Sequence, residues 1–141
     1  MDNSQSWLTN VNEALEKKTA LERIEFAAEN LPSNYSIASS FGAQSAVSLH
    51  MITQVMPKIP VILIDTGYLF PETYQFVDQL AEALDLDVHV YQSTMSPAWQ
   101  EARYGKLWEK DTRALNEYNQ RNKVERMDMA LIHISDPTRP D

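Results

Sequence analysis

The sequence predicts an α/β fold, a parallel sheet with flanking helices. Three observations carry that prediction. Val61-Ile62-Leu63-Ile64 is an unbroken apolar, largely β-branched run, which suits a strand buried on both faces. Stretches of strand character alternate with stretches of helical spacing, in the order β-α-β-α-β. Small and hydroxylated residues follow the first two strands, at the ends where open parallel sheets bind ligands.

The elements follow in order. Trp7, Val11, Ala14 and Leu15 have helical spacing, and Leu21, Ile24, Ala28 and Leu31 repeat it. Between them Thr19-Ala20-Leu21-Glu22 has the spacing of a capping box, in which threonine hydroxyl and glutamate carboxylate each accept a backbone N–H. Pro32-Ser33-Asn34 ends the second helix. Tyr35 to Ser39 reads as a short strand. Gln44 to Met56 reads as a helix, apolar at Val47, Leu49, Met51, Ile52 and Val55, as packing against a sheet requires. Pro57 and Pro60 bracket the next turn, and Val61 to Ile64 is the second strand. Pro71 suits the first turn of a helix, where its missing N–H costs nothing. Val77, Leu80, Ala81 and Leu84 line that helix. Val88-His89-Val90-Tyr91 reads as a third strand, and from Ser96 the text is helical and charged. Residues 134 to 141 are polar and proline-broken, and read as a tail.

At 141 residues the chain fits one domain. No apolar run approaches a membrane span, and Met1-Asp2-Asn3-Ser4-Gln5-Ser6 lacks the features of a secretory signal, which together favour the cytosol. A net charge of −8 disfavours nucleic acid as a partner. There is no cysteine, hence no thiolate metal site and no thiol nucleophile. No Lys or Arg lies between Lys58 and Arg103; Arg103, Lys106, Lys110, Arg113, Arg121, Lys123 and Arg126 then follow closely. A polyanion would draw its side-chain cations from this segment, although composition alone favours a solvated helix face.

Two strand-end loops are candidates for a site. In Ser39-Ser40-Phe41-Gly42-Ala43-Gln44-Ser45, glycine admits close approach to the backbone, the hydroxyls donate, and the next helix begins. These features can hold a phosphate without lysine or arginine; they also suit a plain strand-to-helix turn. In Asp65-Thr66-Gly67, a carboxylate ends a buried strand, where it needs hydrogen-bond donors. A nucleotide's amino or hydroxyl groups can supply them, and so can the backbone of a turn.

The loop resembles the pyrophosphate-binding loop of the adenine-nucleotide α-hydrolase-like (PP-loop, Rossmann-like) superfamily, whose ATP-cleaving members read Ser-Gly-Gly-x-Asp-Ser. With Phe41 and Gln44 in place of that glycine and aspartate, it is similar to the phosphoadenosine phosphosulfate (PAPS) reductases. "PVILIDTGYLFPETYQF" (60 to 76), "AWQEARYGKLWE" (98 to 109) and "EYNQRNKVE" (117 to 125) resemble the thioredoxin-dependent branch of the same family. The resemblance covers residues 20 to 131. It implies a reaction in which a cysteine thiolate attacks the sulfur of PAPS and adenosine 3′,5′-bisphosphate leaves. Thioredoxin then releases sulfite, in sulfate assimilation for cysteine synthesis. It also implies a homodimer and no cofactor. Residues 39 to 45 would hold the phosphosulfate end, and Asp65, Thr66 and Gly67 would lie beside the adenosine. Lys123 matches a lysine near the substrate's anionic groups, and Lys106 is a further candidate that equally suits a solvated surface. An iron–sulfur branch carries a Cys-Cys pair where this chain has Tyr118-Asn119, so no such cluster is expected.

The resemblance is expected to end near residue 131, which divides the chain into a helical segment (1–32), a nucleotide-binding α/β part (33–131) and a tail outside the family (132–141). The fold is then incomplete at its C-terminus, without the family's arginine-rich loop or its Glu-Cys-Gly-Leu-His, as in a truncated or frameshifted reading. His50, His89 and His133 read as packing or surface residues. Trp7, Trp99 and Trp108 read as core or subunit contacts, with Trp108 the candidate for base stacking. Two other readings stay open: an ATP-cleaving ligase or thiolation enzyme, disfavoured by Gln44, and a non-catalytic nucleotide-binding fragment with an exposed sheet edge.

Overall fold

The computed structural model describes residues 3–32 and 34–135; Ser33 and the polar tail from Asp136 lie outside the described residues. The chain forms α1 (Asn3–Glu16), α2 (Ala20–Asn30), β1 (Ile37–Ala38), α3 (Ser45–Val55), β2 (Pro60–Asp65), α4 (Pro71–Leu84), β3 (Asp87–Gln92) and α5 (Pro97–Tyr104). A 3-10 turn (Leu107–Glu109), α6 (Thr112–Asn119), a π-helical turn (Gln120–Val124) and α7 (Glu125–Ser135) follow. The sheet is parallel throughout, in the order β1-β2-β3. Ile37 pairs with Val61, and Pro60 to Asp65 run in register with Asp87 to Gln92.

Local chemistry accounts for the element ends. The capping box forms as spaced: Thr19 Oγ1 accepts from the Glu22 N–H at 3.3 Å, and Glu22 Oε2 from the Thr19 N–H at 2.7 Å. Pro71 opens α4, and Asp85 closes it in the left-handed conformation while pairing with Lys58. Central β2 is buried on both faces at Val61, Ile62 and Leu63, which explains its unbroken apolar run. Phe41, Leu49, Val61, Leu63 and Val77 form the core cluster, where α3 and α4 cover one face of the sheet.

Several boundaries differ from expectation. β1 is confined to Ile37–Ala38, although the Ser39 N–H still bonds the Ile62 carbonyl at 3.0 Å. It is an edge strand with a partner on one side, so few pairings hold it extended. Pro60 belongs to β2 as its first residue, a strand position that tolerates a missing N–H. Gln44 is the N-cap of α3. Residues 132 to 135 continue α7, which packs against β2 and β3, and His133 lies beside the Tyr91 ring. Trp7 and Trp99 are more than half exposed, so neither is a core residue; the Arg103 guanidinium covers the Trp99 ring. His50 meets Gln54 along α3, and His89 lies 3.1 Å from Asp87. Among the described residues no helix is long and apolar enough to cross a membrane.

Candidate functional site

The loop after β1 turns on Phe41. Its φ is +51°, a left-handed conformation that costs a non-glycine residue strain. Its ring is 2% exposed and belongs to the core, and that burial offsets the strain. Ser39 Oγ accepts from the Phe41 N–H at 3.1 Å, and the Ser45 N–H bonds the Gly42 carbonyl at 2.8 Å, leading into α3. Phe41 therefore shapes the loop and presents no side chain to a ligand, and its N–H is taken by Ser39. Ser40, Gly42, Ala43 and Gln44 are exposed, and Ser45 is half-buried. Gly42 has no left-handed φ, and a Cβ built on it would lie 3.8 Å from Ser40 Oγ, an ordinary contact. The fold does not itself demand glycine there.

The loop after β2 is built on Asp65, whose carboxylate is 4% exposed. Oδ1 accepts from the Gly67 N–H and the Tyr74 hydroxyl at 2.7 Å each, and Oδ2 accepts from Gln92 Nε2 at 2.7 Å. Internal donors thus supply what a buried carboxylate needs. Gly67 is required by the fold: its φ is +76°, and a Cβ would come within 2.5 Å of the Pro97 ring.

Burial, then the bond to Asp65, raises the Tyr74 phenol from its ordinary 10 to about 12; burial and Glu101 raise Tyr68 likewise to about 12. Both folded values exceed the unfolded one, so this stabilisation is complete below about pH 10 and lost as pH rises through about 12. Melting temperature is therefore expected to fall over that interval, less steeply in Tyr74→Phe. Equal slopes in the two proteins would refute the assignment.

A cavity of about 760 Å³ lies between the sheet and the π-helical turn. Ser39, Ser40, Thr66, Tyr68, Tyr118 and Lys123 line it, with one carboxylate, Asp128, and an apolar floor from β2. Four of the residues singled out in the sequence thus share one space. Asp65 and Gly67, with Thr66, line a second cavity of about 280 Å³ beside the segment from Gln92 to Pro97. Phe41 to Ser45 line neither, and Lys106, an exposed residue 3.6 Å from Glu109, lines neither as well.

The structure sorts the basic segment. Arg121 pairs with Glu117 at 2.6 Å, Arg126 lies near Glu125, and Lys110 bonds the Tyr104 carbonyl. Lys123 has no carboxylate partner among the described residues and lies 5.9 Å from the centre of the Tyr118 ring. Of the aromatic wall behind it, sequence reasoning singled out only Trp108, which backs Tyr68 and Tyr118 without itself lining the cavity. Trp108 meets Tyr68 and Tyr118 edge-on, at 4.8 and 5.4 Å between ring centres. Sequence reasoning missed the buried amides Gln100 and Asn122. Both lie inside the matched motifs, but nothing in their spacing shows that they meet. Hydroxyl donors, a free ammonium group and an apolar floor suit a ligand that joins an anionic group to a flat apolar one.

Comparison with known proteins identifies the family and the fold. A family model described as the phosphoadenosine phosphosulfate reductase domain matches residues 34–138, past the break expected near residue 131. The phosphoadenosine 5′-phosphosulfate reductase of Salmonella typhi is 56% identical over 131 residues, 93% of this chain and 54% of that protein. The protein of the same name from Alteromonas mediterranea is 54% identical over 135 residues, 96% of this chain and 54% of its own length. The crystal structure of phosphoadenylyl-sulfate (PAPS) reductase from Candida auris, a phosphate complex, superposes with a TM-score of 0.80 at 27% identity. That match covers 96% of this chain and 66% of the other. The chain spans about half the length of the curated relatives it matches. With the family model covering most of the chain, and the parallel sheet shared with a solved reductase, the chain belongs to the phosphoadenosine phosphosulfate reductase family.

Proposed function

We propose that the chain carries the nucleotide-holding part of a PAPS reductase, and that it binds PAPS or adenosine 3′,5′-bisphosphate without itself forming sulfite. The convergence of Ser39, Ser40, Thr66 and Lys123 on one cavity carries this reading. The Ser39 and Ser40 hydroxyls donate to the phosphosulfate end inside the cavity, and the backbone N–H groups of Ser40, Gly42, Ala43 and Gln44 receive the part of it that reaches past the cavity onto the loop. The Lys123 ammonium balances anionic charge, and Thr66 and the wall of Tyr68 and Tyr118 face the nucleoside. On this reading residues 33–131 are the nucleotide-binding part and 1–32 an N-terminal helical segment, whose α2 packs against α3.

The whole-enzyme reaction belongs to the same proposal. A thiolate takes the sulfonate from PAPS, adenosine 3′,5′-bisphosphate leaves, and thioredoxin reduces the S-sulfocysteine to release sulfite. Thioredoxin, a second copy of the chain and a cytosolic setting are its partners and place. Histidine and carboxylate side chains do not gather as a metal site among the described residues.

Calorimetry with adenosine 3′,5′-bisphosphate, and separately with ATP and magnesium, tests this. Binding of the bisphosphate is expected; tight binding of ATP–magnesium alone would transfer the chain to the ATP-cleaving reading. Gly42→Ala sharpens the test, because the protein leaves room for the added methyl. Its stability is expected within about 0.5 kcal/mol of the unaltered chain. Its affinity is expected to fall about tenfold, the loss of ~1.4 kcal/mol of binding. Unchanged affinity would remove this loop from the site.

A further inference from the structure

Two motifs of the sequence meet in the core through side chains that the proposed binding role does not use. Gln100 of α5 is 7% exposed, and Asn122 of the π-helical turn is fully buried. They form a closed amide pair. Gln100 Nε2 donates to Asn122 Oδ1 at 2.9 Å, and Asn122 Nδ2 donates to Gln100 Oε1 at 3.0 Å. Each amide's remaining N–H is also used: Gln100 bonds the Met95 carbonyl at 2.9 Å, and Asn122 the Tyr118 carbonyl at 3.1 Å. No donor is left over, the condition under which a buried polar network is rigid and worth its desolvation.

The bond to Tyr118 determines local geometry. The Asn122 side chain donates to the Tyr118 carbonyl one helical turn earlier, at the entry to the wider π turn of Gln120–Val124, where the Glu125 N–H reaches back five residues to the Gln120 carbonyl. Such turns recur at functional sites. Lys123 is the next residue, and both Lys123 and Tyr118 line the large cavity.

We propose that Gln100 and Asn122 are positioning residues: their closed amide pair holds the π turn in the register that presents Lys123 to an anionic ligand in the cavity. The inference rests on the reading that Lys123 meets such an anion. Neither amide touches the ligand. Without the pair the turn can relax towards α-helical register, which rotates Lys123 about the helix axis and away from the cavity.

The test is calorimetric affinity of the 141-residue chain for adenosine 3′,5′-bisphosphate at low and moderate salt. Lys123→Met and Asn122→Leu are each expected to weaken binding about tenfold and to reduce its salt dependence alike. Combined, they should lose no more than either alone, the signature of one shared function. Gln100→Leu/Asn122→Leu guards against misfolding, since replacing both polar partners by apolar groups disturbs a core less than orphaning one. A folded, cooperatively melting double variant with lowered affinity supports the proposal; one with unchanged affinity overturns it. Losses that multiply between Asn122→Leu and Lys123→Met also overturn it, and leave the Lys123 reading standing. An unaltered affinity in Lys123→Met overturns that parent reading itself.

Discussion

The 141-residue chain, supplied with PAPS and reduced thioredoxin, is expected to release no sulfite above a thioredoxin-only control. The reason is electron bookkeeping as much as a missing nucleophile. Sulfate sulfur must gain two electrons to become sulfite. A thiolate makes this feasible: it takes the sulfonate to form a sulfur–sulfur bond, and a second thiol cleaves that bond, leaving a disulfide and sulfite. This chain has no cysteine. Its hydroxyls at Ser39, Ser40 and Thr66 could at most accept the sulfonate through oxygen. That product is a sulfate ester, and its hydrolysis returns sulfate without reduction. A thiolate is also far the better nucleophile near neutral pH. Sulfite that scales with the concentration of the purified chain would overturn this argument, and with it the proposed division between holding the nucleotide and reducing it.

Asp65→Ala is expected to cost about 2–4 kcal/mol of stability, read as a lowered urea midpoint at unchanged slope. The substitution removes the shared charged acceptor of the Gly67 N–H, the Tyr74 hydroxyl and the Gln92 amide, three charge-assisted bonds that water can replace only in part. These donors tie the end of β2 to α4 and to the end of β3, so the loss spreads across the sheet's C-terminal edge. Asp65→Asn should cost about 1 kcal/mol or less. Its oxygen can still accept from Gly67 and Tyr74, and the Gln92 side chain can turn to present its own oxygen. An alanine variant as stable as the unaltered chain would show that the carboxylate is not structural, and would return it to the pool of ligand-facing groups.

Much of the architecture was legible because its causes are local. The run from Val61 to Ile64 has no use except between two covered faces, and the buried centre of the sheet is where it lies. Thr19 and Glu22 are three residues apart, and a capping box needs nothing else. Pro71 similarly marks the first turn of α4. The extent of β1 was less legible, because strand length depends on a neighbour's pairing and not on the five residues from Tyr35 to Ser39. Residues 132 to 135 looked like a tail beside two later prolines; their helix is held by contacts with β2 and β3.

The candidate site divides the same way. Residue types and spacing alone identified both strand-end loops, the basic segment and the absence of any thiol, since these are properties of the chain as written. Assigning individual side chains required the fold. Phe41 turns into the core, Asp65 spends its acceptors on its own loop, and Lys106 stands near Glu109 at the surface. Lys123 comes to the cavity from the π-helical turn, 57 residues after Thr66 in the sequence. Gln100 and Asn122, 22 residues apart, reveal themselves as a pair only when α5 and that turn pack together. Hydrophobic pattern, caps and turn residues act over a few positions and are written in the sequence directly. Which polar groups satisfy one another and which stay free for a ligand is decided by distances across the core, and those exist only once the chain has folded.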